Sequence, residues 1–335
     1  MKPKQLFEFL KKSILNKLPI LIKGAPGIGK TDIVKQASEE INADLIISHP
    51  VVSDPTDYKG MPTVVKEGDV IKAKFLPFND LESLISANKL TCFFMDDLGQ
   101  ASPSVQASAM QLILGRRING HKVSDQVCFI AATNRKTDKA GVSGILEPVK
   151  SRFASIVELN PDMDDWVKWA LTNKVPTELI AFVRFRPNLL FNFKPSSDLT
   201  NSPCPRTVEN VAKLMPLVRD TEVEFEAYSG AAGEGFAVEF LAFLKIFRTL
   251  PNPDMVIMNP DTAPLPSDPA TLYALCGALA KKASDNTAER LVKYANRLPA
   301  EFSVLLIRDA IQICSQFVNT RAYIEWASNH QEVLI

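Results

Sequence analysis

The stretch "PILIKGAPGIGKTDIVKQASEEI", residues 19–41, decides how the rest of this 335-residue chain is read. "PILIKG" makes a short buried strand, and Ile33, Val34, Ala37 and Ile41 then return to helical spacing. Between them lies "GAPGIGKT": Gly24, Ala25, Pro26, Gly27, Ile28, Gly29, Lys30 and Thr31. It matches GxxxxGK[ST] in the strand-to-helix context that the motif requires. The glycines let the backbone curl so that successive N–H groups, together with the helix N-terminus, point at phosphate. Lys30 then reaches the β- and γ-phosphates of a nucleotide, and Thr31 offers its hydroxyl to Mg²⁺. The plain alternative is a glycine-rich turn with an exposed lysine; motif and context together leave it little room.

Outward from this loop the apolar runs continue. "DLIIS" (44–48), "TCFFM" (91–95), "VCFIAAT" (127–133) and "SIVEL" (155–159) complete a set of five short strands. Helical segments are predicted over 4–17, where Pro19 breaks the helix, and near 78–89, 103–115 and 144–151. Strands alternating with helices imply an α/β fold, with a parallel sheet covered on both faces. Two hairpins interrupt the alternation and should project from the sheet. One is "PTVVKEGDVIKAKF" (62–75), turning at Glu67-Gly68-Asp69; the other is "RRINGHKV" (116–123), with Asn119-Gly120 at its turn.

After Leu159 the character changes to helices, at 162–173 and 176–186 and again from near Thr207. The phenylalanine stripe Phe236, Phe240, Phe243 and Phe247 has helical spacing and reads as core rather than as a docking face. Residues 250–269 form a proline-punctuated connector, and 270–330 are mostly helical.

Composition narrows the function classes. Lysine plus arginine equals aspartate plus glutamate, 38 each, so no global field draws the chain to nucleic acid or anionic membrane. Five scattered cysteines without a CxxC argue for a reducing compartment and against a disulfide framework or zinc site. The start "MKPKQLFEFLKKSILNKL" lacks an unbroken apolar core, so it does not read as a signal peptide. No uncharged apolar run approaches the ~20 residues that span a bilayer. The expected location is the cytoplasm.

The chemistry gathers at strand ends. "TCFFMDDLGQAS" (91–102) is a buried strand running into Asp96 and Asp97. Downstream of a phosphate-binding loop, such a pair is where Mg²⁺ is held and water activated. Asp96 is assigned to the Mg²⁺ shell, while Asp97 stays open between catalysis and a solvated strand end. "AATN" places Asn134 beside the γ-phosphate site, as a polar group that orients the attacking water; a turn-forming Asn is the plain alternative. Arg152 in "VKSRF" and Arg206 in "SPCPRTVEN" are single arginines of the kind usually solvated. They matter because an arginine finger can supply on the order of 10³–10⁵ in rate.

The ordered set of phosphate loop, acidic strand, "AATN", "SRF" and later "PRT" resembles the AAA+ ATPases. The hairpin between the second and third strands resembles their helix-2-insert group, and within it the MoxR-like ATPases. "TNRKTDKAGVSGILEPVKSRF" (133–153) with "GAAGEGFAVEF" (230–240) is similar to a MoxR-like subgroup found in phages and prophages. The resemblance covers roughly residues 5–220. It implies an αβα sandwich with sheet order 5-1-4-3-2 over residues 1–160, with the hairpin insert at 62–75. A helical lid (161–220) and a helical C-terminal extension (221–335) would follow. It further implies a ring, commonly a hexamer, with ATP at subunit boundaries. Arg152 would be the finger reaching the neighbour's ATP, and Arg206 the lid sensor on the subunit's own nucleotide. Such proteins act as chaperone-like remodellers, often with a partner bearing a von Willebrand factor A domain.

One position departs from the pattern: the wider family prefers Glu where this chain has Asp97. The leading expectation is a ring-forming, Mg²⁺-dependent ATPase that remodels a protein partner. A nucleotide-gated assembly scaffold with little turnover is a second reading, supported by Asp97. A DNA-acting loader is a third, against which stand the zero net charge and the lack of a recognisable DNA-binding module.

Overall fold

The computed structural model describes residues 1–138, 144–196 and 198–330, so residues 139–143 of the 133–153 motif lie outside it. The chain divides into two compact units, Met1–Pro161 and Asp162–Ile335.

In the first unit the strands Ile20–Lys23, Asp44–Ser48, Thr91–Met95, Val127–Thr133 and Ser155–Glu158 form one parallel sheet. Its spatial order is 44–48, 91–95, 127–133, 20–23, 155–158, which is the expected 5-1-4-3-2 counted from the other edge. Every residue of the strands 91–95 and 127–133 is buried, as helices on both faces require. Leu21, Phe93, Met95 and Phe129 pack on one face against Tyr58, Leu81, Leu84, Val105 and Leu112. On the other face lies the helix Pro3–Leu15, two of whose neighbouring carbonyls, Ser13 O and Leu18 O, accept weak contacts from the Cys128 thiol. Here Cys92 and Cys128 behave as small hydrophobes; burial pushes the Cys92 thiol up to about 12.

Local details differ from the sequence expectations for identifiable reasons. The first helix stops two residues short of the expected residue 17. It ends at Leu15, where Lys17 turns left-handed (φ 55°) and Leu18 N–H bonds back to Ser13 O, a Schellman-type ending with lysine in the usual glycine position. The expected helix over 103–115 is α-helical only for Pro103–Met110 and widens to a π-turn over Gln111–Gly115. The wide turn delivers Arg116, also left-handed, into a position where its guanidinium donates to Ser124 O and Val127 O. The 250–269 connector contains a helix, Pro253–Met258, started by the Asn252 side chain capping Asp254 N–H.

Both hairpins form their own two-stranded sheets. In the larger, Met61–Glu67 pairs antiparallel with Val70–Leu76. One face carries Lys72 and Lys74 paired to Glu67, and the other leaves Val64 and Ile71 exposed. Its base is tied to the smaller hairpin by Asn119 Nδ2 donating to Lys59 O (2.8 Å) and by a His121 Nε2–Phe75 O hydrogen bond (2.6 Å).

The second unit is helical, with two apolar cores. Phe182, Phe236, Phe240 and Phe243 meet edge-on and tilted in the first, so the phenylalanine stripe is indeed core, with Phe247 partly buried at its end. This core runs continuously from Trp166 to Ala274 and includes both Val218 and Tyr228. The second is built around Leu275, Leu291, Leu306, Phe317 and Trp326. A buried ion pair, Arg184 with Asp309, makes a two-pronged contact, with Nη2 donating to Oδ1 at 2.6 Å. Removing one partner strands the other charge, so Asp309→Ala should destabilise this unit by roughly 3–5 kcal/mol. Chemical denaturation read by tryptophan fluorescence checks this; a loss within the ~0.5 kcal/mol of ordinary surface changes would mean that water reaches the pair.

Candidate nucleotide site

The phosphate loop is held in place by its backbone. Gly29 caps the helix Lys30–Glu40 at φ 90°, a conformation strained for any residue with a Cβ. The helix therefore starts with Lys30 and Thr31 in its first turn, which sets both side chains at the mouth of the loop. Lys30 is 7% exposed, and its Nζ donates to Gly24 O (3.1 Å), Ala25 O (3.0 Å) and Asn134 Oδ1 (2.7 Å). Thr31 Oγ1 donates to Asp96 Oδ2 at 2.7 Å, and Asp96 Oδ1 accepts Asp97 N–H at 3.1 Å. Asn134 Nδ2 donates to Asp97 Oδ1 at 3.2 Å. Thr31, Asp96, Asp97, Asn134 and Lys30 are thus one hydrogen-bonded chain across the C-terminal ends of three adjacent strands.

Asp97 sits at φ 57°, ψ 35°, in the left-handed region. Short polar residues tolerate this region better than most others. The turn at residue 97 therefore suits a short acid such as Asp, which still reaches Asn134. The next glycine is fixed by packing. A Cβ on Gly99 would fall 2.2 Å from Thr133 Oγ1, so this turn lies directly against the strand that delivers Asn134.

The donor set fits a Mg²⁺–nucleotide. Among the described residues no group of three or more His, Cys, Asp or Glu converges to cage a metal. Instead a hydroxyl and a carboxylate stand side by side. Mg²⁺ favours such sparse oxygen donors, because it keeps waters and takes phosphate oxygens for its remaining positions.

Of the residues singled out from sequence, five converge: Lys30, Thr31, Asp96, Asp97 and Asn134. Arg152 does not join them. It follows the short helix Glu147–Lys150, and its guanidinium donates to Pro148 O. Ala154 N–H bonds Pro19 O, so this turn lies at the start of the strand whose far end carries Gly24. Four residues at ~3.3 Å each separate the two ends. Arg206 lies in the first turn of the helix Pro205–Val218, in the second unit. Sequence reading missed Gln106, whose buried side chain donates to Ala101 O and Gly144 O and accepts Leu146 N–H, pinning the segment before Arg152. A lone glutamine in a helix carries no signal for that role.

A sheet of this order, with the phosphate loop on its first strand and an acid pair on the third, is the arrangement found in the AAA+ fold. Residues 20–161 match the family described as "ATPase family associated with various cellular activities (AAA)". Curated relatives include the Holliday junction branch migration complex subunit RuvB of Mycoplasma genitalium, 26% identical over 158 residues, and of Mycoplasma pneumoniae, 25% over 166 residues. The matches cover 45% of this chain and 45% of each relative, so the chain spans about half the length of the curated relatives it matches. Solved structures that align include the Thermotoga maritima RuvB branch migration motor, at 15% identity and TM-score 0.38, covering 83% of this chain and 80% of that one. NtrX from Brucella abortus aligns at 13% identity and TM-score 0.43, covering 98% of this chain and 67% of that one. Among the described residues no helix is long and apolar enough to cross a membrane.

Proposed function

We infer that this protein is a cytoplasmic, Mg²⁺-dependent AAA+ ATPase of the MoxR-like kind, working as a hexameric ring that couples ATP hydrolysis to remodelling of a protein partner. The observation that carries this reading is the hydrogen-bonded chain from Thr31 through Asp96, Asp97 and Asn134 to Lys30. Phosphoryl transfer is mostly positioning and charge stabilisation, and these residues divide that work. The loop N–H groups and Lys30 bind the β- and γ-phosphates. Thr31 and Asp96 would hold Mg²⁺, which supplies positive charge against the phosphate oxygens. Asn134 orients the attacking water, and Asp97 accepts its proton. Arg152 reaches a neighbouring subunit's nucleotide, and Arg206 senses the nucleotide of its own subunit. A partner with a von Willebrand factor A domain suits a MoxR-like ring.

The test is Asp97. Asp97→Asn keeps the shape and the left-handed turn but cannot take a proton. It should bind nucleotide normally and lose turnover on the order of 100-fold, the low end of what a positioned general base supplies. Asp97→Glu should also be slow, because the turn disfavours the longer side chain. Phosphate release at steady state measures both; equal rates in all three proteins would remove Asp97 from catalysis, and negligible release by the wild type would favour the scaffold reading.

The larger hairpin is the element read here as partner-facing, since its apolar face is exposed and its tip is polar. Deleting residues 66–69 should spare basal ATPase activity and lower any partner-stimulated rate. Loss of basal activity in a folded protein would contradict that assignment.

The match to RuvB subunits favours a second reading, a motor acting on DNA. Neutral net charge weighs against it. Affinity for duplex DNA that falls steeply with salt would support it.

A further inference from the structure

The residue after Asn134 is held by an unusual number of bonds to a single carboxylate. Asp138 is 5% exposed and accepts from Arg135 four times over. Its Oδ2 takes the Arg135 backbone N–H at 3.2 Å and Nε at 3.0 Å; its Oδ1 takes Nη2 at 2.9 Å and Nε at 3.2 Å. Asp138 N–H in turn donates to Arg135 O at 3.1 Å. On the other side of the same peptide, Asn134 O accepts Thr133 Oγ1 at 3.1 Å. The peptide unit joining residues 134 and 135 is therefore tied at both its carbonyl and its N–H. That fixes the plane from which the Asn134 side chain projects towards Lys30 and Asp97.

The clamp also touches the strand that carries the phosphate loop. Arg135 Nη1 lies 3.5 Å from Glu158 Oε1, and Glu158 Oε2 lies 2.9 Å from Lys23 Nζ, the residue before Gly24. Those two outer contacts are a third to a half exposed and contribute little energy. The buried Asp138 carboxylate is where the restraint resides.

We propose that Asp138, through Arg135, is the positioning residue that sets Asn134 for hydrolysis. This rests on the ATPase reading above and adds to it a restraint outside the site itself. Neither residue touches the reacting atoms. Their effect is geometric, and a shift of about 1 Å in a catalytic group can cost on the order of 100-fold.

The experiment is a double-mutant cycle on the full chain with ATP, comparing wild type, Asp138→Asn, Asn134→Ala and the double variant. Asp138→Asn should lower kcat roughly 10- to 100-fold while KM and binding of a fluorescent ATP analogue stay within about 2-fold, a smaller step than the kcat loss by any count. In the Asn134→Ala background the same substitution should cost nothing further, because the group it positions is gone. A residue that merely holds the fold together would cost the same factor in both backgrounds, and that result overturns the proposal. So does an unchanged kcat for Asp138→Asn. Should that variant not fold, Arg135→Gln removes the guanidinium at a part-exposed site, keeps the backbone bond to Asp138, and is judged by the same cycle. A wild type that binds ATP and releases no phosphate overturns the ATPase reading and this proposal together. Additivity in an active wild type overturns the proposal alone.

Discussion

Arg152→Ala should bind ATP as the wild type does and hydrolyse it roughly 10³–10⁵ times more slowly, the range expected for loss of an arginine finger. The expectation follows from where the sheet puts the residue. Arg152 lies in the turn before the edge strand Ser155–Glu158, level with the start of the strand Ile20–Lys23 and not with its phosphate-loop end. Its own loop lies at the far end of that strand, so on the proposed mechanism the nucleotide served by this guanidinium belongs to another subunit. Mixing therefore has a definite outcome. Arg152→Ala subunits carry an intact loop and Lys30→Ala subunits carry an intact finger, so mixed rings contain some complete sites and should recover activity. Arg206→Ala mixed with Lys30→Ala should recover none, because Arg206 is read as acting on its own subunit's nucleotide. Phosphate release from the two mixtures, with ring formation followed by light scattering, makes the comparison. If neither mixture recovers although mixed rings form, or if a monomeric wild type turns over at full rate, the shared-site mechanism is wrong.

Lys30→Ala should abolish most nucleotide affinity. A hydrogen bond from a charged donor contributes about 1.5–3 kcal/mol, which is roughly 10- to 150-fold in affinity, and Lys30 is proposed to serve two phosphates. The geometry enlarges the effect. Lys30 Nζ also joins the loop carbonyls of Gly24 and Ala25 to Asn134, so its removal loosens the cradle along with the charge. Titration with a fluorescent ATP analogue reads the loss directly. Undiminished binding in the variant would show that the loop does not hold the phosphates.

The parts of the site legible in sequence are those whose chemistry is written in contiguous residues. A phosphate loop needs glycines, a lysine and a hydroxyl in one short run, and Asp96 and Asn134 each end an apolar strand of recognisable length. Their meeting is a consequence of parallel strands: every C-terminal end lies on the same side of the sheet, so residues that end strands become neighbours. The helix ends were less legible. Lys17 closes the first helix in a conformation usually left to glycine, and Pro253–Met258 is helical inside a stretch that reads as a proline-rich connector. Local propensity is weak enough for packing to override it.

By itself the sequence determined the α/β class, the five strands, the nucleotide loop and the identities of the residues that cluster around it. Tertiary structure alone decided how those residues act on one another. Asp97 lies in the left-handed region at the start of a turn whose Gly99 is pressed against Thr133, a conformation and a contact that the residue types alone do not announce. The Arg135–Asp138 clamp looks in sequence like an ordinary solvated pair three residues apart, and only burial of the carboxylate turns it into a restraint. Arg184 and Asp309 are 125 residues apart, and no local spacing announces their pairing. The physical reason is the same in each case. A motif records which chemical groups are present, whereas burial and direction, which set what a charge or a hydrogen bond contributes, come into being only when distant segments close around it.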